Sequence, residues 1–550
     1  MKKKVYGKTH IKITAMGLAV LLLTSGCRPT TPIKEPLNRP AVDTGIKEKE
    51  YLPVEYKSEK SKELKTKTVD YDYGDRILKE KGETDTPYKL RGILSYPINT
   101  VQEKLKLVIL LHGCHDNENA RRYDVGFRYL TEYLAENGYL AVSIDVNAAF
   151  DWKYGDNREY VKLPLIFEEH WKLLKDWNEG TISIDGMRME NRIDFDRIML
   201  LGHSTSGEII FNIASQEKYK AEYLLCVAPT LNNPDSLFDI PLKGLSILVP
   251  EYDGDVVSLD GMAIKNKWTP ALKQQIFSTI LLKKANHNYF NTVLEANDAE
   301  QTGTDISDQM EKEQQRDFLK KFVVMNANAF FQEKYENTIF DNKQPAVNQI
   351  DGLDVMTYLR TGNTIKIADA NTTYIGNESV DIFKKQDSPN FTKDTAPGLN
   401  MALTGSDVME VTEIVWKNKG AEISVPLEEN DVSSYHSLCL DMMVDPFYEE
   451  NERKEPQGLS VELMDQQGKK QKVVISPESN AVFYPRGKMG TLDLEEGEIK
   501  FWDGVTVSSD IRIPMTCFDE LDLSKIRQLN LLFDQKEKGA VYLQSIHLSR

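Results

Sequence analysis

A serine lies at a strand-to-helix junction near the middle of this 550-residue chain. An apolar run at 197–201 precedes Gly202-His203-Ser204-Thr205-Ser206-Gly207, and a helix-forming run at 208–214 follows it. A serine on such a tight turn projects its hydroxyl above the carboxyl end of a parallel strand, where it can act as a nucleophile. Ser206 stands where the motif G-x-S-x-G has its second glycine, and serine is small enough for a near match. The alternative is that Ser204 only caps the helix.

A serine nucleophile needs a histidine that accepts its proton and a carboxylate that orients the histidine. On a parallel sheet that carries the nucleophile on such a strand-to-helix turn, the chain order is serine, acid, histidine. Downstream of Ser204 the only histidines are His287, His436 and His547, and the last two fall in a β-rich part of the chain. Elimination selects His287, directly after an apolar run at 277–283, although an isolated histidine there could also be a surface loop residue.

Two carboxylates compete for the role of the acid. Asp253 and Asp255 both follow the apolar run that ends at Val249. Spacing favours Asp253, because it follows the strand by four residues and precedes a valine by three. Asp255 stays open as the alternative acid, and either one could be a solvated turn residue.

The oxyanion of the intermediate would be held by backbone amides. The positions predict the amide of Thr205, which follows the nucleophile, and that of Cys114, which follows His112-Gly113 at the end of an apolar run. Cys114 as a reactive thiol is the less favoured alternative. Trp152, Tyr154 and His203 are candidates to line the substrate pocket.

Cysteine spacing predicts neither a metal site nor a disulfide framework. Apart from Cys27, the cysteines are Cys114, Cys226, Cys439 and Cys517, which lie far apart in the sequence. A bridge between Cys439 and Cys517 stays open. No motif predicts a cofactor.

The region from 65 to 340 alternates predicted strands and helices. Apolar runs at 105–111, 140–146, 197–201, 222–228, 245–249 and 277–283 are separated by helical patterns, and a closing helix is expected from 312 to about 335. Repeated βα units predict a doubly wound, mostly parallel sheet that carries its ligands at the carboxyl ends of the strands.

The flanking segments predict three further parts. Residues 28–64 are polar and rich in Pro, Lys and Glu, which is typical of a flexible tether. Residues 341–377 are expected to be a linker. Period-two alternation within 378–550 predicts an all-β sandwich domain.

The amino terminus predicts export. Lysines precede an uncharged run at 13–23, and Thr24-Ser25-Gly26-Cys27 follows. Residues 1–27 resemble a bacterial lipoprotein signal with Cys27 as the lipidated residue, and an ordinary cleaved signal or a membrane anchor is the alternative. The formal charge of -17 argues against nucleic acid as a partner.

The catalytic motifs together resemble the α/β-hydrolase superfamily. His112-Gly113, Gly202-His203-Ser204, Asp253-Gly254-Asp255-Val256 and Asn286-His287-Asn288 carry the resemblance, and the chain is similar to its secreted dienelactone-hydrolase and cutinase-like polyester-hydrolase branch. Stretches at 526–533 and 540–548 resemble galactose-binding-like carbohydrate modules.

Two functions are therefore expected as alternatives. The first is a lipid-anchored serine hydrolase on the outer face of the cell membrane, which cleaves small or polymeric carboxylic esters through Ser204, His287 and Asp253. The second is a catalytically idle surface protein whose sandwich binds a glycan.

Overall fold

A computed structural model of the chain describes residues 28–29, 48–79, 85–98, 103–115, 121–150, 158–186, 189–233, 240, 242–268, 275–302, 305–387, 409–428, 430–451, 455–494, 497–503 and 505–550. Cys27, Trp152 and Tyr154, which the sequence singles out, lie outside these residues.

An eleven-stranded mixed sheet forms the first part of the molecule. Its strands are β3 (Val54–Tyr56), β4 (Thr66–Leu78), β5 (Thr86–Pro97), β6 (Leu105–Leu111), β7 (Leu140–Ile144), β8 (Ile193–His203), β9 (Ala221–Val227), β10 (Gly244–Tyr252), β11 (Ile276–Asn286), β12 (Val347–Ile350) and β13 (Leu353–Thr361). They lie in the order β3-β12-β13-β11-β10-β9-β8-β6-β7-β5-β4. The pairs from β7 through β6, β8, β9 and β10 to β11 are parallel, whereas β4, β5 and β13 run antiparallel to their neighbours.

Helices cover both faces of this sheet. They are α1 (Arg128–Glu136), α2 (Glu159–Glu179), α3 (Thr205–Ala214), α4 (Asp260–Lys267) and α5 (Lys312–Gln332). On β6, Leu107 and Ile109 belong to the core that α2, α3 and α4 complete, whereas Val108 and Leu110 belong to the core under α1 and α5. Alternate residues of a strand point to opposite faces, so a strand buried on both faces must be a continuous apolar run. The expected α/β architecture is present.

The remaining strands form an all-β region. They are β1 (Arg28–Pro29), β2 (Glu48–Tyr51), β14 (Thr364–Asp369), β15 (Ile375–Gly376), β16 (Val380–Asp387), β17 (Met409–Trp416), β18 (Ala421–Pro426), β19 (Ser437–Val444), β20 (Ser460–Asp465), β21 (Lys470–Ile475), β22 (Lys488–Leu494), β23 (Gly497–Asp503), β24 (Ser509–Pro514), β25 (Ile526–Phe533) and β26 (Gly539–Ser549). One sheet runs β1-β2-β21-β20-β25-β18-β15 and another runs β16-β17-β26-β19-β24, with β14 beside β26. Trp416 and Val541 from one sheet share a core with Leu531 and Val461 from the other.

Two segments differ from the sequence prediction. Within the expected tether, β2 pairs with β21 and β3 pairs with β12. Within the expected linker of 341–377, β13 pairs along its length with β11, and β14 pairs with β26. Three of these strands, β2, β3 and β14, are short, and all four have pairing partners that lie far away in the sequence. The local pattern therefore does not reveal them.

Buried ion pairs join the α/β region to the all-β region. Lys265 of α4 lies 3.3 Å from Asp441 of β19, and Arg360 of β13 donates to Asp510 of β24 at 2.8 Å. All four side chains are at most 3% exposed. None of the helices in the part of the chain described above is long and apolar enough to cross a membrane.

Candidate active site

Ser204 occupies a strained turn between β8 and α3. Its backbone has φ 56° and ψ -131°, a conformation that residues other than glycine rarely adopt. The Ser204 amide donates to the carbonyl of Val227 at 2.9 Å, and the Ser204 carbonyl accepts from the amide of Gly207 at 2.7 Å. Bonds to the next strand and to the first turn of the helix hold the strain in place. This is the backbone geometry predicted for a nucleophile elbow.

Three glycines allow the backbone to pack closely around the serine. A Cβ on Gly202 would lie 2.3 Å from the carbonyl oxygen of Ser206, and one on Gly113 would lie 2.5 Å from the Cβ of Ser204. A Cβ on Gly207 would lie 2.9 Å from the side chain of Pro229. These separations are shorter than non-bonded carbon contacts allow, so each position requires glycine.

Ser206, the departure from G-x-S-x-G, fits this elbow. Its side chain is fully buried, and its hydroxyl donates to the carbonyl of His112 at 2.5 Å. The hydroxyl therefore ties the start of α3 to the end of β6. Gly207 provides the close helix packing that is often provided by a glycine one position earlier.

His287 follows β11 and pairs with Asp253. The distance from His287 Nδ1 to Asp253 Oδ2 is 3.0 Å, and His287 is completely buried. The other oxygen of Asp253 accepts from the amides of Asp255 at 3.1 Å and Val256 at 2.6 Å. Asp253 is thus fixed on both of its oxygens and is placed to orient the imidazole.

Asp255 lies on the opposite side of the same imidazole. Its Oδ2 is 3.3 Å from His287 Nε2, and its side chain is 56% exposed. Of the two candidate acids, the structure therefore brings Asp253 to Nδ1, the nitrogen that an orienting acid would contact, and Asp255 to Nε2, the nitrogen that would exchange protons with a serine. Within the described residues His287 Nε2 has no hydrogen-bond partner, so the contact between it and Ser204 is not formed here. Such contacts are commonly long in unliganded enzymes.

The surrounding carboxylates raise the pKa of His287. Burial alone would lower it, but the charge and hydrogen bond of Asp253, and then the charges of Asp255 and Asp298, raise the pKa from 6.5 to about 9. The imidazole accordingly loses its proton in mildly alkaline solution. A role as general base requires this neutral form.

Asp298 is a site residue that the sequence did not reveal. It is buried and accepts from the amides of Gly254 at 2.8 Å, His287 at 3.0 Å and Asn288 at 2.9 Å. It therefore fastens the loop that carries the acid to the loop that carries the histidine. Burial raises the pKa of this carboxyl. A single aspartate in a polar loop has no pattern that would distinguish it in the sequence.

His203 lies in the protein interior against His287. Its ring centroid is 4.6 Å from that of His287, and its Nε2 donates to the His287 carbonyl at 3.2 Å. Burial and the neighbouring His287 keep the pKa of His203 well below its usual range, and therefore it is neutral. Because its side chain has no exposed surface, His203 supports His287 and does not line an open pocket as the sequence suggested.

The two predicted oxyanion donors belong to segments that adjoin Ser204. Thr205 is the first residue of α3, where an amide has no partner within the helix. Cys114 follows Gly113, whose added Cβ would lie 3.2 Å from Ser204 Oγ. Burial, and then the charges of Glu159 and Asp255, raise the pKa of the Cys114 thiol to about 12, which disfavours the reactive thiolate.

No metal centre is found among the residues described. No group of three or more His, Cys, Asp or Glu side chains there could hold a metal ion. Cys439 has a free thiol, so the bridge to Cys517 that the sequence left open is not formed.

The comparisons with known proteins find a likeness among solved structures only. No protein-family model and no curated protein matches the chain. Among solved structures it is similar to a dienelactone hydrolase from Anabaena variabilis, with 16% sequence identity and a TM-score of 0.26, over 42% of this chain and 91% of that one. A likeness at this level shows neither the activity nor the site residues of this chain. The candidate site therefore depends on the positions and contacts of its own residues.

Proposed function

We propose that this protein is a serine hydrolase that cleaves carboxylic esters through an acyl-enzyme. The observation that carries the proposal is the 3.0 Å contact between Asp253 and His287 Nδ1 in a protein that also holds Ser204 at positive φ at the end of a central strand. A base with one nitrogen oriented by a buried carboxylate and the other unbonded is equipped to accept the proton of a nearby hydroxyl.

The proposed reaction has two steps, acylation of Ser204 and hydrolysis of the acyl-enzyme. Ser204 Oγ bonds to the ester carbonyl carbon while its proton passes to His287 Nε2, and the amides of Thr205 and Cys114 hold the oxyanion. The bond between carbon and the alcohol oxygen then breaks, and the alcohol leaves with the proton from His287. Water next attacks the acyl carbon, gives its proton to His287, and releases the acid as Ser204 recovers a proton.

Kinetics with a small soluble ester test this proposal. We expect measurable turnover of a nitrophenyl ester by the full chain and a loss of at least three orders of magnitude in the Ser204→Ala variant. Ser206→Ala is the matched control, because it also removes a buried hydroxyl from the same turn but leaves the proposed nucleophile. If the two variants lose equal activity, Ser204 is not the nucleophile.

The all-β region and the location complete the proposal. We expect the two sheets to be a β-sandwich of the galactose-binding-like class that holds a glycan or a polymeric ester. A cavity of about 200 Å³, lined in part by Phe483, Tyr484 and Glu251, lies where the all-β region meets the α/β region and offers room for one ring of such a ligand. Binding of the full chain to a glycan array, lost in Phe483→Ala, tests this part.

The outer face of the cell membrane is the proposed location, with acyl chains on Cys27. Partitioning into detergent should be lost in Cys27→Ala if the cysteine carries lipid. Complete partitioning of the unaltered protein into the aqueous phase would contradict the anchor.

A further inference from the structure

The exposed carboxylate of Asp255 has no role in the reaction described so far. The orienting position is filled by Asp253, which is 3.0 Å from Nδ1, whereas Asp255 Oδ2 lies 3.3 Å from Nε2. The turn that carries Asp255 is fixed, because its amide donates to Asp253 and the preceding amide, that of Gly254, donates to Asp298. The backbone that carries this exposed carboxylate is therefore fixed close to Nε2.

The reaction places the substrate's alcohol beside this carboxylate. Nε2 must hand its proton to the leaving alcohol oxygen, so that oxygen comes within about 3 Å of Nε2 in the reacting complex. It then lies no more than about 6 Å from Asp255 Oδ2, by the sum of the two distances. Substituents on the alcohol thus enter the field of Asp255.

The imidazolium form of His287 can offset the charge of one carboxylate, but three carboxylates surround it. The acids that face His287 are Asp253, Asp255 and Asp298, and all three raise its pKa. Two neighbouring histidines, His203 and His115, have pKa values held well below the usual range, mainly by burial, and carry no charge. The whole chain carries a formal charge of -17, which also attracts cations and repels anions.

We infer that Asp255 selects esters by the charge of their alcohol, favouring a cationic alcohol such as an amino alcohol and disfavouring one that carries a carboxylate. This inference rests on the proposed ester hydrolysis. The charged atom of an amino alcohol is joined to the ester oxygen through two carbons, so it can also lie about 6 Å from Asp255. At that distance, in a partly solvated site, a unit charge changes an equilibrium or rate by about tenfold. Because Asp255 is exposed, salt should weaken the selection.

A matched set of three acetate esters tests the inference. The probes are acetylcholine, its uncharged carbon analogue, and the acetate ester of a hydroxy acid. We expect kcat/KM, divided by that of the uncharged ester, to be about tenfold higher for the cation and about tenfold lower for the anion at low salt. Asp255→Asn should bring both ratios towards one, and Asp255→Lys should invert them.

Asp196→Asn is the control for a general change of net charge. Asp196 is exposed, lies on β8 away from its carboxyl end, and pairs with Lys220. Its removal should leave both ratios unchanged. Unchanged ratios in Asp255→Asn, with all three esters still hydrolysed, would overturn the inference alone. Failure of the unaltered protein to hydrolyse any ester would instead overturn the proposed function, and the inference with it.

Discussion

Two regions of this protein bury charged groups, and the two differ in whether every buried group has a partner. At the boundary between the α/β and all-β regions, Lys265 faces Asp441 and Arg360 faces Asp510, so that each buried cation has a buried anion. At the carboxyl edge of the parallel sheet, His287 Nδ1 contacts the buried carboxylate of Asp253, and the exposed carboxylate of Asp255 lies near Nε2. Nε2 has no hydrogen bond among the described residues. Paired charges hold elements together, whereas an unbonded nitrogen can react.

The largest expected effect separates the two acids of the site. Asp253→Asn should lower kcat by about three to four orders of magnitude, because the amide cannot orient and stabilise the imidazolium in the same way. Asp255→Asn should cost far less on an uncharged ester, since that side chain does not contact Nδ1. Equal losses, measured under the same conditions, would contradict the assignment of Asp253.

Breaking an ion pair at the boundary between the α/β and all-β regions should lower the free energy of unfolding. Asp510→Ala leaves the Arg360 guanidinium buried without its anion, and breaking such a pair costs about 3–5 kcal/mol. Denaturant unfolding of the variant should therefore show a much lower midpoint. Replacing Arg360 and Asp510 together with apolar residues should recover most of the loss, and an equally unstable double variant would mean that packing, not charge, is responsible.

A protein truncated after residue 340 tests whether the α/β region is stable without the rest of the chain. The linker that the sequence predicts after residue 340 would let residues 65–340 fold and work independently. The structure instead pairs β13 with all but the last residues of β11, the strand that leads to His287, and Phe330 and Val355 share one core. We now expect a protein that ends at 340 to be poorly soluble and inactive. Full activity of the purified truncated protein would contradict this.

A smaller effect is expected in the pH dependence. Because the pKa of His287 is raised to about 9 and the base must be neutral, kcat/KM should rise with pH up to about that value. Asp255→Asn removes one of the charges that favour the protonated form. The pKa should fall, and the rise should move to lower pH. A pH profile that does not move would mean that Asp255 does not act on the imidazole.

The parts that local pattern determines were predictable from the sequence. Continuous apolar runs indicated the central strands, and chain order and strand ends indicated Ser204, His287 and Asp253. Asp298 and β13 could not be predicted in this way. Asp298 is placed by three backbone amides that come from two loops, and β13 takes its register from a strand far away in the chain. Such long-range contacts leave no local pattern for a sequence to show.

The most direct test of the central claim is the site of covalent labelling by a fluorophosphonate. Only a serine activated by a base should react quickly, so peptide mass spectrometry should find the adduct on Ser204. Labelling should disappear in Ser204→Ala and slow strongly in Asp253→Asn. A folded protein that is not labelled, or that is labelled on another serine, would contradict the account.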